Sequence, residues 1–257
     1  PYTWGAVGLF YNKKYVKKDV DSWDLLWDKD YSGKILMFNN PRDAFAIAQK
    51  RLGYSFNSTD EKEWKEAYKL LKEQKPLVQS YVMDEIFDLL ASGEAWIAPY
   101  YCGDYPMIKS NNEDIEFVFP KEGVNQFVDA MCVPKGGNTK YAEEFINFMC
   151  RTDIAKENIE VIGYCTPQLE AKKLLDKDVV ESEILYPTEK VLKNAETFAA
   201  LPENISKLED ELWTDIRVGD SGGYTHYYWI FGVIAVVIIA VIVFITVKKK
   251  KSKKYYE

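Results

Sequence analysis

The chain has 257 residues, of which 47% are hydrophobic and 28% charged, a composition that excludes intrinsic disorder as its main state and gives room for one large domain or two modest ones. Its formal charge of −7 is unevenly distributed: the tail after Val247 carries six lysines against Glu257, so the acidity belongs to the body.

In chain order, the pattern predicts a strand over 6–12, then a short helix over 22–27 whose Trp23 and Trp27 share a face. A second strand over 34–38 (KILMF) precedes a helix that Pro41 opens and Gly53 ends. Ser58 with Glu61 reads as a capping box for an amphipathic helix to about Gln74, with Trp64, Tyr68 and Leu71 on its inner face. Strands follow over 77–81, 95–100 and 115–119, separated by helices over 84–91 and 105–110. This rhythm predicts an α/β lobe with a mostly parallel, twisted sheet. One more strand over 126–134 ends at the Lys135-Gly136-Gly137-Asn138 turn, after which helices are expected over 142–150, 153–162, 169–175, 187–198 and 203–217.

The end of the chain has a different physical character. Residues 219–226 read as a glycine-bearing linker. From Trp229 to Val247 nineteen residues carry no charge, and as a helix they would extend roughly 28 Å, close to the hydrocarbon thickness of a bilayer. Tyr224, Tyr227, Tyr228 and Trp229 supply an interfacial aromatic belt on one side and the lysines a stop-transfer cluster on the other. The expectation is a transmembrane helix over 227–247, a basic cytoplasmic tail over 248–257, and an extracytoplasmic body on a single-pass cell-membrane protein. Lysines in that position orient the span and meet anionic lipid, so nucleic acid is not an expected partner. The chain starts at Pro1 without a methionine or an export signal, which reads as a fragment or a processed chain.

The residue inventory excludes several chemistries. His226 is the only histidine and lies at the membrane edge, so the body cannot build a Ser-His-Asp triad, a Cys-His dyad or an HExxH zinc site. Cys102, Cys132, Cys150 and Cys165 show no CxxC spacing, and phosphate-binding glycine motifs are absent; no cofactor or metal is expected. Aromatic residues beside carboxylates remain. Tyr100 and Tyr101 end a strand, Asp43 follows the Asn39-Asn40-Pro41 turn, and Phe127 and Asp129, two apart in a strand, share a face. A ring and a carboxylate together suit an organic ammonium, the ring stacking on its methylenes and the carboxylate accepting its N–H groups. Core packing is the competing reading for each of these residues taken singly.

Many short segments in one order carry a resemblance: Pro1-Tyr2-Thr3-Trp4-Gly5-Ala6, Ser22-Trp23, Tyr31-Ser32-Gly33-Lys34, Arg42-Asp43, Leu52-Gly53-Tyr54-Ser55, Gly93-Glu94, Pro120-Lys121-Glu122-Gly123, Phe145-Ile146-Asn147-Phe148, Ile162-Gly163-Tyr164 and Leu185-Tyr186-Pro187. Together they resemble the polyamine (spermidine/putrescine) binding proteins of bacterial ABC importers. The resemblance implies a two-lobed periplasmic-binding-protein fold of type II, with ligand held between α/β lobes and no chemistry done on it. It further implies that the first lobe is largely missing from this chain. Residues 1–128 would form the main part of the second lobe, 129–173 a return segment into the first, and 174–218 the closing helices of the second. Polyamine and the ABC permease subunits are the implied partners. Carried over by position, the family's acidic pair falls on Asn40 and Asp43, its aromatic after the Gly-Glu strand on Tyr101, its W-x-D segment on Phe127 and Asp129, and its IGY tyrosine on Tyr164. Its last site segment falls near Thr197 and Phe198. Asp129 is expected to grip an inner amine, and the amide at Asn40 leaves spermidine and putrescine both open. Another small cationic solute, a membrane-anchored carboxylate hydrolase such as a glycosidase, and an adhesive ectodomain without a small ligand remain alternatives.

Overall fold

An apolar run at the start of the chain builds the first strand, β1 (Thr3–Asn12), which is buried on both faces along most of its length. Then come β2 (Ile35–Phe38), α1 (Pro41–Arg51), α2 (Glu61–Gln74), β3 (Val78–Val82), α3 (Ile86–Ala91), β4 (Ile97–Tyr101), α4 (Tyr105–Asn111), β5 (Ile115–Val118) and β6 (Gln126–Asp129). The remainder is helical: α5 (Thr139–Met149), α6 (Thr152–Ile162), the short α7 (Leu169–Lys172), α8 (Lys177–Val180) and α9 (Glu189–Leu192), and α10 (Glu203–Val218). This computed structural model describes residues 1–218; the expected linker, membrane span and basic tail lie outside the described residues. Among the described residues no helix is long and apolar enough to cross a membrane.

The sheet runs β3-β2-β4-β1-β5, with β6 also paired to β1. It is mixed, not mostly parallel. β2 is parallel to β3 and β4, whereas β1 is antiparallel to β4, β5 and β6. Periodicity cannot report strand direction, because helical crossovers between the later strands are compatible with either sense of the strand that precedes them. β1 thereby becomes the spine of the fold: its first half registers with β6, Thr3 opposite Asp129 and Gly5 opposite Phe127, and its second half with β4 and β5.

Helix α1 packs on β2, and α2 packs on α1. Trp23, Trp64, Phe45 and Phe56 are almost completely buried, and the Phe45 and Trp64 rings meet at 5.2 Å. Each such side chain removed from water contributes on the order of 2–3 kcal/mol, which is why this half of the chain holds its shape. The 22–27 segment is a 3₁₀ turn (Trp23–Trp27) capped by Ser22. Asp60, not Ser58, caps α2, its carboxylate accepting from the Lys62 amide at 2.8 Å; the charge suits the positive end of the helix.

Three expected elements are shorter than their patterns. β6 stops at Asp129 because β1 has no further strand residue before Thr3 to pair with it. The 169–175 helix ends at Lys172. Of 187–198 only Glu189–Leu192 is helical, since Glu196 instead bridges to Asn125 in an extended conformation. All four cysteines are free, and Cys102 and Cys165 are buried.

Candidate functional site

Local chemistry shapes the turn between β2 and α1. Asn40 is the N-cap, its side-chain oxygen accepting from the Arg42 amide at 3.0 Å, and Pro41 takes the first helical turn, where its missing N–H leaves nothing unsatisfied. The Asn40 amide then donates to Asp43 Oδ2 at 2.8 Å. An aspartate at position 40 would set a second carboxylate there; the amide supplies a donor instead. Asp43 also accepts from the Tyr101 hydroxyl at 3.1 Å and from Asn125 Nδ2 at 3.4 Å. It is 4% exposed, and burial pushes its carboxyl up to about 6 in spite of these donors and the neighbouring Arg42 charge.

At the end of β6 the environment changes. Asp129 ends β6 and is exposed, with the Thr3 hydroxyl bonded to its carboxylate and the Tyr2 amide donating to its carbonyl at 2.7 Å. Phe127, two residues earlier on the same face, lies across Gly5: a Cβ on Gly5 would sit 2.7 Å from the tip of its ring, so the missing side chain lets the ring rest on β1. Phe127 meets Tyr101 edge-on at 5.2 Å and Tyr164 at 6.0 Å. Tyr164 follows Gly163, whose φ of 82° closes α6, and its hydroxyl donates to Asp104 at 2.6 Å. Burial raises the pKa of both Tyr101 and Tyr164, so each keeps its proton as a hydrogen-bond donor.

Asn40, Asp43, Tyr101, Phe127, Asp129 and Tyr164 all line one open cleft of about 530 Å³. Its wall also holds Phe198, and Arg42 and Asn125, which no sequence signal singled out as contacts. Phe198, not Thr197, is the member of that late segment that reaches the cleft. Asn125 is 6% exposed and its Oδ1 has no partner among the described residues, leaving a buried acceptor beside Asp43. Arg42 is held between rings, 4.7 Å from the Phe198 centroid and 5.7 Å from that of Trp64, and burial lowers its pKa. A second cavity of about 190 Å³ is lined by Pro1, Tyr2, Met131, Met149 and their neighbours, without a carboxylate. Among the described residues no group of three or more His, Cys, Asp or Glu could hold a metal ion.

The cleft therefore offers two carboxylates, one buried and one exposed, together with the rings of Tyr101, Phe127, Tyr164 and Phe198. That arrangement can take a flexible, apolar chain bearing positive ends: N–H groups meet carboxylate oxygens, and methylenes lie on ring faces.

Comparison with known proteins gives concordant findings. Residues 1–188 match the profile of a family described as bacterial extracellular solute-binding protein. The chain is 37% identical over 198 residues to the spermidine/putrescine-binding periplasmic protein of Escherichia coli, covering 76% of this chain and 57% of that protein. It is 30% identical over 237 residues to the putrescine-binding periplasmic protein SpuD of Pseudomonas aeruginosa, covering 85% of this chain and 65% of the relative. Among solved structures, the spermidine/putrescine ABC transporter substrate-binding protein PotD of Streptococcus pneumoniae superposes with a TM-score of 0.75 at 30% identity, over 84% of this chain and 68% of that one. The chain thus spans little more than half the length of the Escherichia coli relative.

Proposed function

The chain belongs to the bacterial extracellular solute-binding proteins, and from that premise we propose that it captures a polyamine, spermidine or putrescine, and presents it to the permease of an ABC importer without altering it. One observation carries the reading. Six residues from separate stretches of the chain, Asn40, Asp43, Tyr101, Phe127, Asp129 and Tyr164, converge on a single cleft whose charge and ring placement suit an alkylammonium. Asp129 grips an inner amine where the ligand has one, Asp43 takes the ammonium drawn deepest, and Tyr101, Phe127 and Tyr164 flank the methylenes.

In this reading residues 1–128 are the main part of the second lobe, 129–173 a return segment into a first lobe, and 174–218 the closing helices. Helix α5 supports the return segment. It buries none of its residues, and Tyr141, Phe145 and Phe148, spaced along one helical face, are 65%, 57% and 44% exposed. A face that apolar is built for cover. The uncharged run over 229–247, between an aromatic belt and six lysines, supports a single-pass anchor with the body outside the membrane. Tethering keeps a binding protein at high effective concentration beside its permease. Deleting residues 224–257 should release the body from the membrane fraction.

The test of function is calorimetric titration of the full-length protein with putrescine, spermidine and an uncharged diol of matched length. Saturable heat from the amines alone, with ligand recovered intact, supports the reading. Equal binding of the diol would overturn it, and altered ligand would move the protein to the carboxylate hydrolases.

A further inference from the structure

One part of the cleft wall comes from a stretch with no regular structure of its own. Residues 196–199 follow α9 and deliver Phe198 to the cleft; Glu196 forms one bridge, to Asn125, and 197–199 belong to no helix or strand. Glu196 is secured by pairing: its amide donates to the Val124 carbonyl at 3.0 Å, its carbonyl accepts from the Gln126 amide at 2.8 Å, and its carboxylate meets Lys50 and Ser55. Beyond Glu196 that ladder ends, and a single side chain replaces it. Asn57 Nδ2 donates to the Thr197 carbonyl at 2.9 Å, and Asn57 Oδ1 accepts from the Ala199 amide at 2.9 Å. One amide thus satisfies two backbone groups on either side of Phe198, as a neighbouring strand would.

Asn57 Oδ1 also accepts from Arg42 Nη2 at 3.1 Å, and the same nitrogen donates to the Ala199 carbonyl at 3.3 Å. Arg42 is therefore fixed by the segment it helps to fix. Its guanidinium lies 4.7 Å from the Phe198 ring, which packs edge-on against the buried Phe56 at 4.8 Å. Asn57 itself does not line the cleft, yet Phe198 and Arg42, which close the cleft beside Asn40 and Asp43, take their positions from it.

We propose that Asn57 is a positioning residue that sets the length of amine the cleft accepts, by holding Phe198 and Arg42 as an end wall beyond Asp43. The proposal rests on the polyamine reading of the cleft. With the wall in place, a short diamine pairs with Asp43 and stops against the ring; a longer amine must direct further length, and a further positive charge, toward a cationic wall. With the wall loosened, the short ligand loses its stop and the long one gains room.

The experiment compares Kd values for putrescine and spermidine in the full chain and in Asn57→Ala, Asn57→Asp and Asp129→Asn variants. Losing the three side-chain hydrogen bonds to Thr197, Ala199 and Arg42 in Asn57→Ala should weaken putrescine about tenfold and leave spermidine within about threefold of its starting value. Asn57→Asp keeps the acceptor for Ala199 and Arg42 and loses the donor to Thr197, so its ratio should fall between the two, and it serves if the alanine variant does not fold. Equal weakening of both amines, or no change in either, overturns the positioning role while the loss in Asp129→Asn keeps the polyamine reading. If Asp129→Asn also binds both amines as before, the reading falls and the proposal with it.

Discussion

The two carboxylates of the cleft share a ligand surface but not an environment. Asp43 sits on the first turn of α1, 4% exposed, with three donors converging on it, and its carboxyl is displaced up to about 6. Asp129 sits at the frayed end of β6, exposed, with the Thr3 hydroxyl as its side-chain partner. Desolvation strengthens whatever Asp43 touches, but it also raises the cost of its charge before ligand arrives. Asp129, exposed at the cleft's edge, meets an ammonium in a more screened setting. Net affinity is the gain on binding less the cost already present in the empty cleft, so the more buried acid need not be the more valuable one.

The largest effect tests that inversion directly. Asp129→Asn should weaken putrescine about 100-fold, near 3 kcal/mol, the upper range for a charge-assisted hydrogen bond, with little change in melting temperature. Asp43→Asn should weaken it about tenfold and also stabilise the empty protein at pH 7.5 by about 2 kcal/mol, because a charge expensive to bury disappears. The network can absorb that change: the new amide donates to Asn125, whose unpartnered Oδ1 becomes the acceptor when the Asn125 side chain turns over. Calorimetry and thermal melts of both variants decide between them. A destabilised Asp43→Asn beside an unaffected Asp129→Asn would reverse the comparison.

A smaller effect follows from pH. With its pKa raised from 3.8 to about 6, Asp43 holds a proton in the folded chain that the unfolded chain has released. Its contribution to stability is complete below about pH 4 and is lost as pH rises through about 6, so the empty protein should become less stable across that window. Binding moves the opposite way. A neutral carboxyl is a poor partner for an ammonium, so putrescine affinity should rise severalfold between pH 5 and 7.5, around a midpoint near 6. Tyr101, which keeps its proton, and the Arg42 guanidinium, which stays cationic, hold a constant charge over that range. The rise should vanish in Asp43→Asn and persist in Asp129→Asn; a pH profile unchanged in Asp43→Asn would place the titration elsewhere.

How legible these acids were in sequence follows from how local their causes are. Asn40, Pro41 and Asp43 lie within four residues, and capping rules alone predict a helix opening there with a carboxylate in its first turn. Phe127 and Asp129 are linked by strand alternation, another short-range rule. That all six candidates meet in one cleft came from a pattern of segments resembling a family, since no propensity relates Asp43 to Tyr101 across 58 residues. Arg42 and Asn125 escaped for the same reason: Arg42 reaches Ala199 across 157 residues, and Asn125 meets Asp43 across 82. The direction of β1 was equally hidden, because an apolar run of its kind reads the same forwards and backwards. The helix expected over 187–198 failed where pairing of Glu196 with Val124 and Gln126 outweighed local preference.

The smallest effect separates charge from ring in the exposed half of the cleft. Gly5 faces Phe127 across the β1–β6 ladder, and a methyl there would lie 2.7 Å from the ring's Cζ and 3.3 Å from Cε1. Its backbone is ordinary strand, so Gly5→Ala carries no conformational penalty and acts through contact alone. The near atom is the far edge of a half-buried side chain, and that edge can swing away toward the cleft, where Tyr101 stands 5.2 Å off. Thr3 and Asp129, the next pair on the same face of the ladder, keep their hydrogen bond, so the carboxylate is untouched while the ring moves. If Phe127 stacks on ligand methylenes, its displacement should weaken putrescine about three- to fivefold, the scale of a cation–π and stacking contact at a partly exposed site, with the melting temperature nearly unchanged. Titration of Gly5→Ala beside Asp129→Asn checks this. Undiminished affinity in Gly5→Ala would mean that the exposed half of the cleft works through the charge of Asp129 alone, with Phe127 as its floor.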